Sequence, residues 1–228
     1  MKKKAIVALS GGMDSTTVLA KLLDEGYEVE CFAFDYGSKH SHYELEAASK
    51  VAFFYGVPLH GPIDLKSTMS MFESNLLKTG GAIPEGHYSH PSMEQTVVPA
   101  RNIIFLSIMA GLAWSRGASK IAIGIHQGDH AIYADCRTDF YKAMDSAIFL
   151  GTDKRVEIIA PFLETDKTGI LDWGLVHEVP YHLTRTCYKE QQDSCGVCGS
   201  CVERLEAFAA HGVRDPIAYE DDVREVGE

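Results

Sequence analysis

No apolar run in the chain approaches the ~20 residues that a membrane-spanning helix needs. The start, Met1-Lys2-Lys3-Lys4, carries no signal-peptide cleavage pattern and leads directly into an apolar strand. The expected location is therefore the cytoplasm, with no membrane partner. Internal repeats, low-complexity segments and linkers are all missing. Positive charge is scarce: 21 Lys and Arg stand against 32 Asp and Glu, a net charge of −11. Such a chain is poorly suited to gripping a long nucleic-acid backbone, whose affinity rests on basic residues. A small substrate is favoured and no nucleic-acid partner is expected, although a compact basic site on an acidic protein is compatible with this balance. The 228 residues, 46% hydrophobic and 23% charged, suffice for one large α/β domain with a small appendage.

The stretch that organises the chain is Ser10-Gly11-Gly12-Met13-Asp14-Ser15. Ala5 to Leu9 before it is a short apolar run that reads as a buried parallel strand. Thr16, Thr17, Val18, Leu19, Leu22 and Leu23 after it follow helical spacing. In a strand–turn–helix of this kind, glycines allow positive φ and close approach of a ligand. The turn amides and the helix N-terminus attract anions. A phosphate or pyrophosphate fits. No lysine follows Gly12, so this is not a Walker loop. Asp14 stands where that loop would bring positive charge, and a carboxylate beside phosphates suits a bridging Mg²⁺. The competing reading is a glycine turn with Asp14 as an ordinary helix N-cap. With S-G-G-x-D-S in this context, the chain resembles the PP-loop ATP pyrophosphatases. That resemblance implies cleavage of ATP between its α- and β-phosphates and adenylation of an acceptor.

The remaining order is strand over Glu28 to Phe34, helix from about Ser38 through Phe54, and strand over Leu59 to Leu65. A helix capped by Asn102 follows, then a strand over Ile121 to Ile125, a helix over Phe140 to Leu150, a strand over Val156 to Ala160, and a helix from Lys167 to about Val176. Strand–helix alternation of these lengths predicts an α/β fold: a doubly wound parallel sheet of five strands. The strand ending at Ile125 is expected beside the first strand, because ligands in such sheets bind beyond the carboxyl ends of the strands. Residues 66–98 are too long for an ordinary connection and read as a lid or binding loop. Cys31, Met69, Met71 and the helical aromatics are expected in the core.

Cys187, Cys195, Cys198 and Cys201 are spaced C-x₇-C-x₂-C-x₂-C. Four clustered thiolates fit a closed tetrahedral zinc site. An iron–sulfur cluster is the competitor, but no Cys-Pro follows at the expected step. The site is expected to staple a C-terminal segment, residues 181–228, against a catalytic domain, residues 1–180.

Together with these cysteines, Phe34-Asp35-Tyr36-Gly37, Val98-Pro99 with Arg101-Asn102, Gly128-Asp129-His130, Asp135-Cys136-Arg137, Lys167 and Thr186-Cys187-Tyr188 resemble the QueC family of 7-cyano-7-deazaguanine synthases. The likeness covers nearly the whole chain. It departs at Lys39, where Arg is expected, and at Ala134 and Thr138, where prolines are expected. The resemblance implies an adenine nucleotide α-hydrolase-like fold and a ligase of queuosine biosynthesis. From 7-carboxy-7-deazaguanine and ammonia it would make the nitrile, spending ATP twice. Ala8, Leu9, Ser10, Gly11, Gly12, Met13, Asp14, Ser15, Thr16, Thr17 and Val18 would hold ATP, with Phe34 near adenine. Ser10, Asp14, Arg101 and Lys167 would carry catalysis, the two cations by neutralising phosphate charge. His126, Asp129, His130, Asp135 and Arg137 would face the deazaguanine. His40 and Glu44 either orient the nucleotide or form a first-turn helix pair, and Cys136 is expected to be a buried filler. Zn²⁺, Mg²⁺ with ATP, and a homodimer are implied. The alternatives are a PP-loop enzyme acting directly on tRNA, a non-catalytic zinc-stapled module, and a variant that stops at the amide.

Overall fold

The computed structural model describes residues 3–220. Met1 and Lys2, where the missing leader was read, and 221–228, the end of the expected C-terminal segment, lie outside the described residues. Five parallel strands form one sheet in the order β3-β2-β1-β4-β5: β1 (Lys4–Ala8), β2 (Glu28–Asp35), β3 (Leu59–Asp64), β4 (Lys120–Ala122) and β5 (Glu157–Ile159). The winding reverses at β1, which pairs with β2 on one side and β4 on the other, as expected. A crevice opens where the connections diverge from such a strand.

Both faces of β1 are buried, so its sequence is apolar without alternation. Ala5, Val7 and Leu9 pack against α1 (Met13–Asp24) and α2 (Ser41–Tyr55) through Val18, Leu19, Leu22, Ala48 and Val51, joined by Ile170 of α6 (Lys167–Val176). Ile6 turns the other way, into a cluster with Leu106, Met109 and Ala113 of α4 (Arg101–Arg116) and Ile148 of α5 (Thr138–Gly151). Burial of each such aliphatic side chain is worth about 1.5–3 kcal/mol.

The run Pro91–Arg116, a 3₁₀ turn followed by α4, is long and apolar enough by length and composition to cross a membrane, contrary to the reading above. Its apolar face is instead part of the core, through Leu106, Met109 and Ala113. Asn102 is not the cap of α4. The cap is Ala100, in the left-handed region at φ 56° and without a side-chain bond. Residues 66–98 hold a short helix α3 (Lys66–Met69) and that 3₁₀ turn. They wrap around Lys39, whose Nζ donates to the carbonyls of Asn75, Leu77, Gly80 and Gly81. Met69 is buried there, but Met71 is 74% exposed, and Phe53 and Phe54 of α2 and Trp114 of α4 are exposed too, so these four are not the core residues expected. The helix α7 (Gly199–Ala210) packs Ala207 and Phe208 against Leu171 of α6 and Met13 of α1.

Candidate active site

A cleft of about 190 Å³ lies over the carboxyl ends of β1, β2 and β4, lined by the glycine loop on its floor. Gly11 has φ +79°, and a Cβ there would lie 2.7 Å from the Ala47 Cβ, so only glycine lets the loop close onto α2. Within the loop, Ser10 Oγ accepts from Gly12 N at 3.2 Å and lies 3.1 Å from Ser15 Oγ. The cap of α1 is Gly12, with no side-chain bond, so the helix end presents free amides. Asp14 does not cap the helix. Its Oδ2 accepts from Lys167 Nζ at 2.7 Å. Of the expected ATP loop, Ala8, Leu9, Ser10, Gly12, Met13, Asp14 and Ser15 line the cleft, as does Phe34. Thr16, Thr17 and Val18 are fully buried beneath it; Thr17 Oγ1 bonds the Met13 carbonyl and the Tyr181 hydroxyl.

Lys167 is the centre of a buried charge cluster. Its Nζ also lies 3.2 Å from Glu203 Oε2, a partner supplied by α7. Burial disfavours the Lys167 ammonium, but Asp14, Glu203 and Asp129 outweigh it and raise its pKa. For Asp14 the outcome is the reverse: burial pushes the carboxyl up, and Lys167 and His126 more than cancel this, leaving it lowered. Asp129 has no lysine or arginine partner among the described residues, and burial pushes it up to about 6 despite Lys167. His126 is fully buried, and burial, with Lys167 next, lowers its pKa. Its Nδ1 accepts from Gly128 N at 3.1 Å, and its Nε2 points between Asp129 Oδ2 at 3.5 Å and Asp14 Oδ2 at 3.9 Å.

The other wall is aromatic. Phe34 stacks on Phe105 at 4.1 Å, Tyr36, Tyr133 and Tyr188 stand around Arg101, and Tyr88 lines the same cleft. The Arg101 guanidinium sits 5.8 Å from the Tyr36 ring and 6.0 Å from that of Tyr133. No carboxylate of the described residues pairs with it, which leaves its donors for an anion. Of the loop after β4, Ile123, Gly124, Asp129, Tyr133 and Cys136 line the cleft; of the expected substrate residues, His126, His130, Asp135 and Arg137 do not. Asp135 Oδ2 instead accepts from Asn102 N at 2.9 Å, and Asn102 Nδ2 donates to the Asp135 carbonyl at 3.0 Å. Arg137 Nε donates to the His130 carbonyl. Burial raises the Cys136 thiol well above its ordinary value, which fits a filler and not a nucleophile.

The four clustered cysteine sulfurs lie within 4.8 Å of one another, all buried. A zinc–sulfur bond of about 2.3 Å places the thiolates of a tetrahedron about 3.8 Å apart, so the cluster fits one metal ion. Backbone amides of Lys189 and Cys195 point at Cys187 Sγ and that of Cys198 at Cys195 Sγ, as a thiolate requires. Arg185 N donates to the Gly11 carbonyl at 2.8 Å, so the chain just before Cys187 braces the glycine loop. Glu203 and Arg185 had no signal in the sequence. Each stands in the segment assigned to metal binding, and only packing brings Arg185 to the cleft and Glu203 to Lys167 behind it.

The site and sheet define a nucleotide-binding α/β protein whose glycine loop, Asp14 and Lys167 face one crevice. The fold alone is shared with the NMN synthetase of Francisella tularensis, at a TM-score of 0.53 and 13% identity over 93% of this chain and 78% of that one. The family described as "Queuosine biosynthesis protein QueC" matches residues 4–212, and the chain belongs to it. The 7-cyano-7-deazaguanine synthase of Caldicellulosiruptor saccharolyticus is 46% identical over 220 residues, 96% of this chain and 97% of that protein. That of Psychromonas ingrahamii is 46% identical over 222 residues, 97% of this chain and all of its own length.

Proposed function

We propose that this chain is the ATP-dependent ligase that makes 7-cyano-7-deazaguanine from 7-carboxy-7-deazaguanine and ammonia. The observation that carries this reading is the family match across residues 4–212. A carboxylate has a poor leaving group, and adenylation replaces it with AMP. In the first half, a carboxylate oxygen attacks the α-phosphorus of ATP and pyrophosphate departs; ammonia then attacks the acyl carbon, AMP departs and a proton is lost. In the second half, the amide oxygen attacks the α-phosphorus of a second ATP, pyrophosphate departs again, and loss of AMP and of both protons of the amide nitrogen leaves the nitrile.

The chain's share is positioning and charge stabilisation, the main sources of acceleration in such transfers. The free amides at the start of α1 and the Ser10 and Ser15 hydroxyls hold the phosphates, and Phe34 borders adenine. Arg101 and Lys167 offset the charge that builds on the α-phosphate. Asp14 would hold Mg²⁺ beside the phosphates through the oxygen that Lys167 leaves free. Asp129 borders the acceptor, with His126 behind it, while Asp135 acts through Asn102 on the start of α4, next to Arg101. Cys187, Cys195, Cys198 and Cys201 would hold Zn²⁺, which supplies folding energy there and no chemistry. Residues 181–220 are thereby stapled to the nucleotide-binding part. Reduced thiols suit a cytoplasmic location. Exposed Phe53 and Phe54 at the end of α2 support pairing of two chains as a homodimer.

Nucleotide analysis tests the reaction class. Turnover should yield AMP and pyrophosphate; ADP and phosphate alone would overturn it.

A further inference from the structure

The functional reading leaves open what recognises the heterocycle. Three carboxylates line the cleft: Asp14, Glu44 and Asp129. Asp14 accepts from Lys167, and Asp129 sits beside His126 near the same ammonium, both at the phosphate end. Glu44 stands apart, in the first turn of α2 on the β2 side, with its side chain 20% exposed. Behind it lies His40, whose Nε2 is 3.4 Å from Glu44 Oε2.

His40 is a fixed backing. It is 1% exposed, its Nδ1 donates to the Tyr188 carbonyl at 3.1 Å, and its ring lies 5.3 Å from that of Tyr188. Tyr188 is itself held, hydroxyl to hydroxyl, by Tyr88 at 2.6 Å. The Glu44 carboxylate thus has the fixed His40 ring behind it and is free in front, at the mouth of a slot walled by tyrosines. A flat ring fits such a slot. A carboxylate matches two adjacent N–H donors with its two oxygens, a pattern that a carbonyl or hydroxyl cannot complete.

We propose that Glu44 reads the heterocycle by accepting from the ring N–H and the adjacent 2-amino group, with His40 as its positioning residue; this rests on the functional reading above. The substrate carboxylate lies across the bicycle from that edge. Engaging Glu44 therefore turns the carboxylate toward Arg101 and the glycine loop, where the α-phosphate is expected. The main rival occupant is the ribose diol of ATP, which also offers two donors.

The test compares wild type with Glu44→Gln on 7-carboxy-7-deazaguanine and on its 2-deamino analogue, with saturating ATP, Mg²⁺ and ammonium. A hydrogen bond to a charged group is expected to give wild type a preference for the 2-amino acid of roughly 10- to 100-fold in kcat/KM. Glu44→Gln should lose most of that preference, through KM for the acid, and leave KM for ATP unchanged. His40→Asn should shrink the same preference without moving KM for ATP. A variant that keeps the wild-type preference overturns the proposal. So does a loss that falls on KM for ATP and disappears with 3′-deoxy-ATP, which would assign Glu44 to the ribose. If the Gln variant does not fold, Glu44→Asp carries the test: a raised KM for the acid alone supports the proposal, and a raised KM for ATP alone overturns it. A wild type inactive on the acid would overturn the functional reading itself, and this inference with it.

Discussion

Lys167 Nζ donates to Asp14 Oδ2 at 2.7 Å across 153 residues of sequence, tying the start of α6 to the glycine loop. This contact makes the two residues unequal under mutation. Asp14→Asn leaves Lys167 with Glu203, so stability should fall by about 1–3 kcal/mol. Lys167→Met leaves Asp14 and Glu203 buried against each other, and the loss should be about 3–5 kcal/mol. Both should lose most turnover, and Asp14→Asn should also raise the Mg²⁺ needed for half-maximal rate. Denaturation curves and Mg²⁺ titrations check this. Equal stability losses would mean that Glu203 is no real partner of Lys167.

Asp129 gives a pH dependence of known sign. Its carboxyl ionises near 3.8 when unfolded and near 6 when folded, because burial raises it. Between those values the folded chain holds the extra proton, so stability falls as pH rises from about 3.8 to about 6 and is level above. The cost at pH 7 is at most about 2–3 kcal/mol. Asp129→Asn should remove it, gaining stability at pH 7 and little at pH 3.5. Urea unfolding at both pH values decides; a variant less stable at pH 7 contradicts it.

Asp135 accepts from Asn102 N at the start of α4 and does not line the cleft. Asp135→Ala should therefore lower stability by about 1–2 kcal/mol and disturb Arg101, whereas Asp135→Asn, which keeps an acceptor, should recover most of the loss. Thermal melts with KM values for both substrates measure this. A raised KM for the acid with an unchanged melt would make Asp135 a direct substrate contact.

One metal ion per chain, zinc, is expected by elemental analysis, without iron–sulfur absorbance. Cys198→Ser should lose the metal and melt at a lower temperature, since binding free energy here is folding free energy. A metal-free wild type of full stability would contradict this.

The sheet was legible because its central strands, β1 above all, are short apolar runs between glycine turns and periodic helices, and the position of β4 beside β1 followed from winding alone. The glycine loop was legible because its function is written in contiguous backbone. Side-chain direction was not. Thr17 and Val18 belong to the same run yet point into the core, and Asp135 and Arg137 look like ligand groups but bond to neighbouring backbone. Glu203 and Arg185 reach the site only through the packing of α7 and the preceding loop, a long-range contact that no local pattern records. Asn102 resembles a cap by type and position, but the left-handed turn at Ala100 takes that place and frees Asn102 to hold the Asp135 loop.

The central claim is tested most directly by mass spectrometry of the product. The purified protein is incubated with 7-carboxy-7-deazaguanine, ATP, Mg²⁺ and ¹⁵N-ammonium, and both product and nucleotides are measured. The account expects 7-cyano-7-deazaguanine carrying one ¹⁵N in the nitrile, with two AMP formed per nitrile. Accumulation of the labelled amide with one AMP would contradict the second adenylation, and no labelled product at all would contradict the assignment.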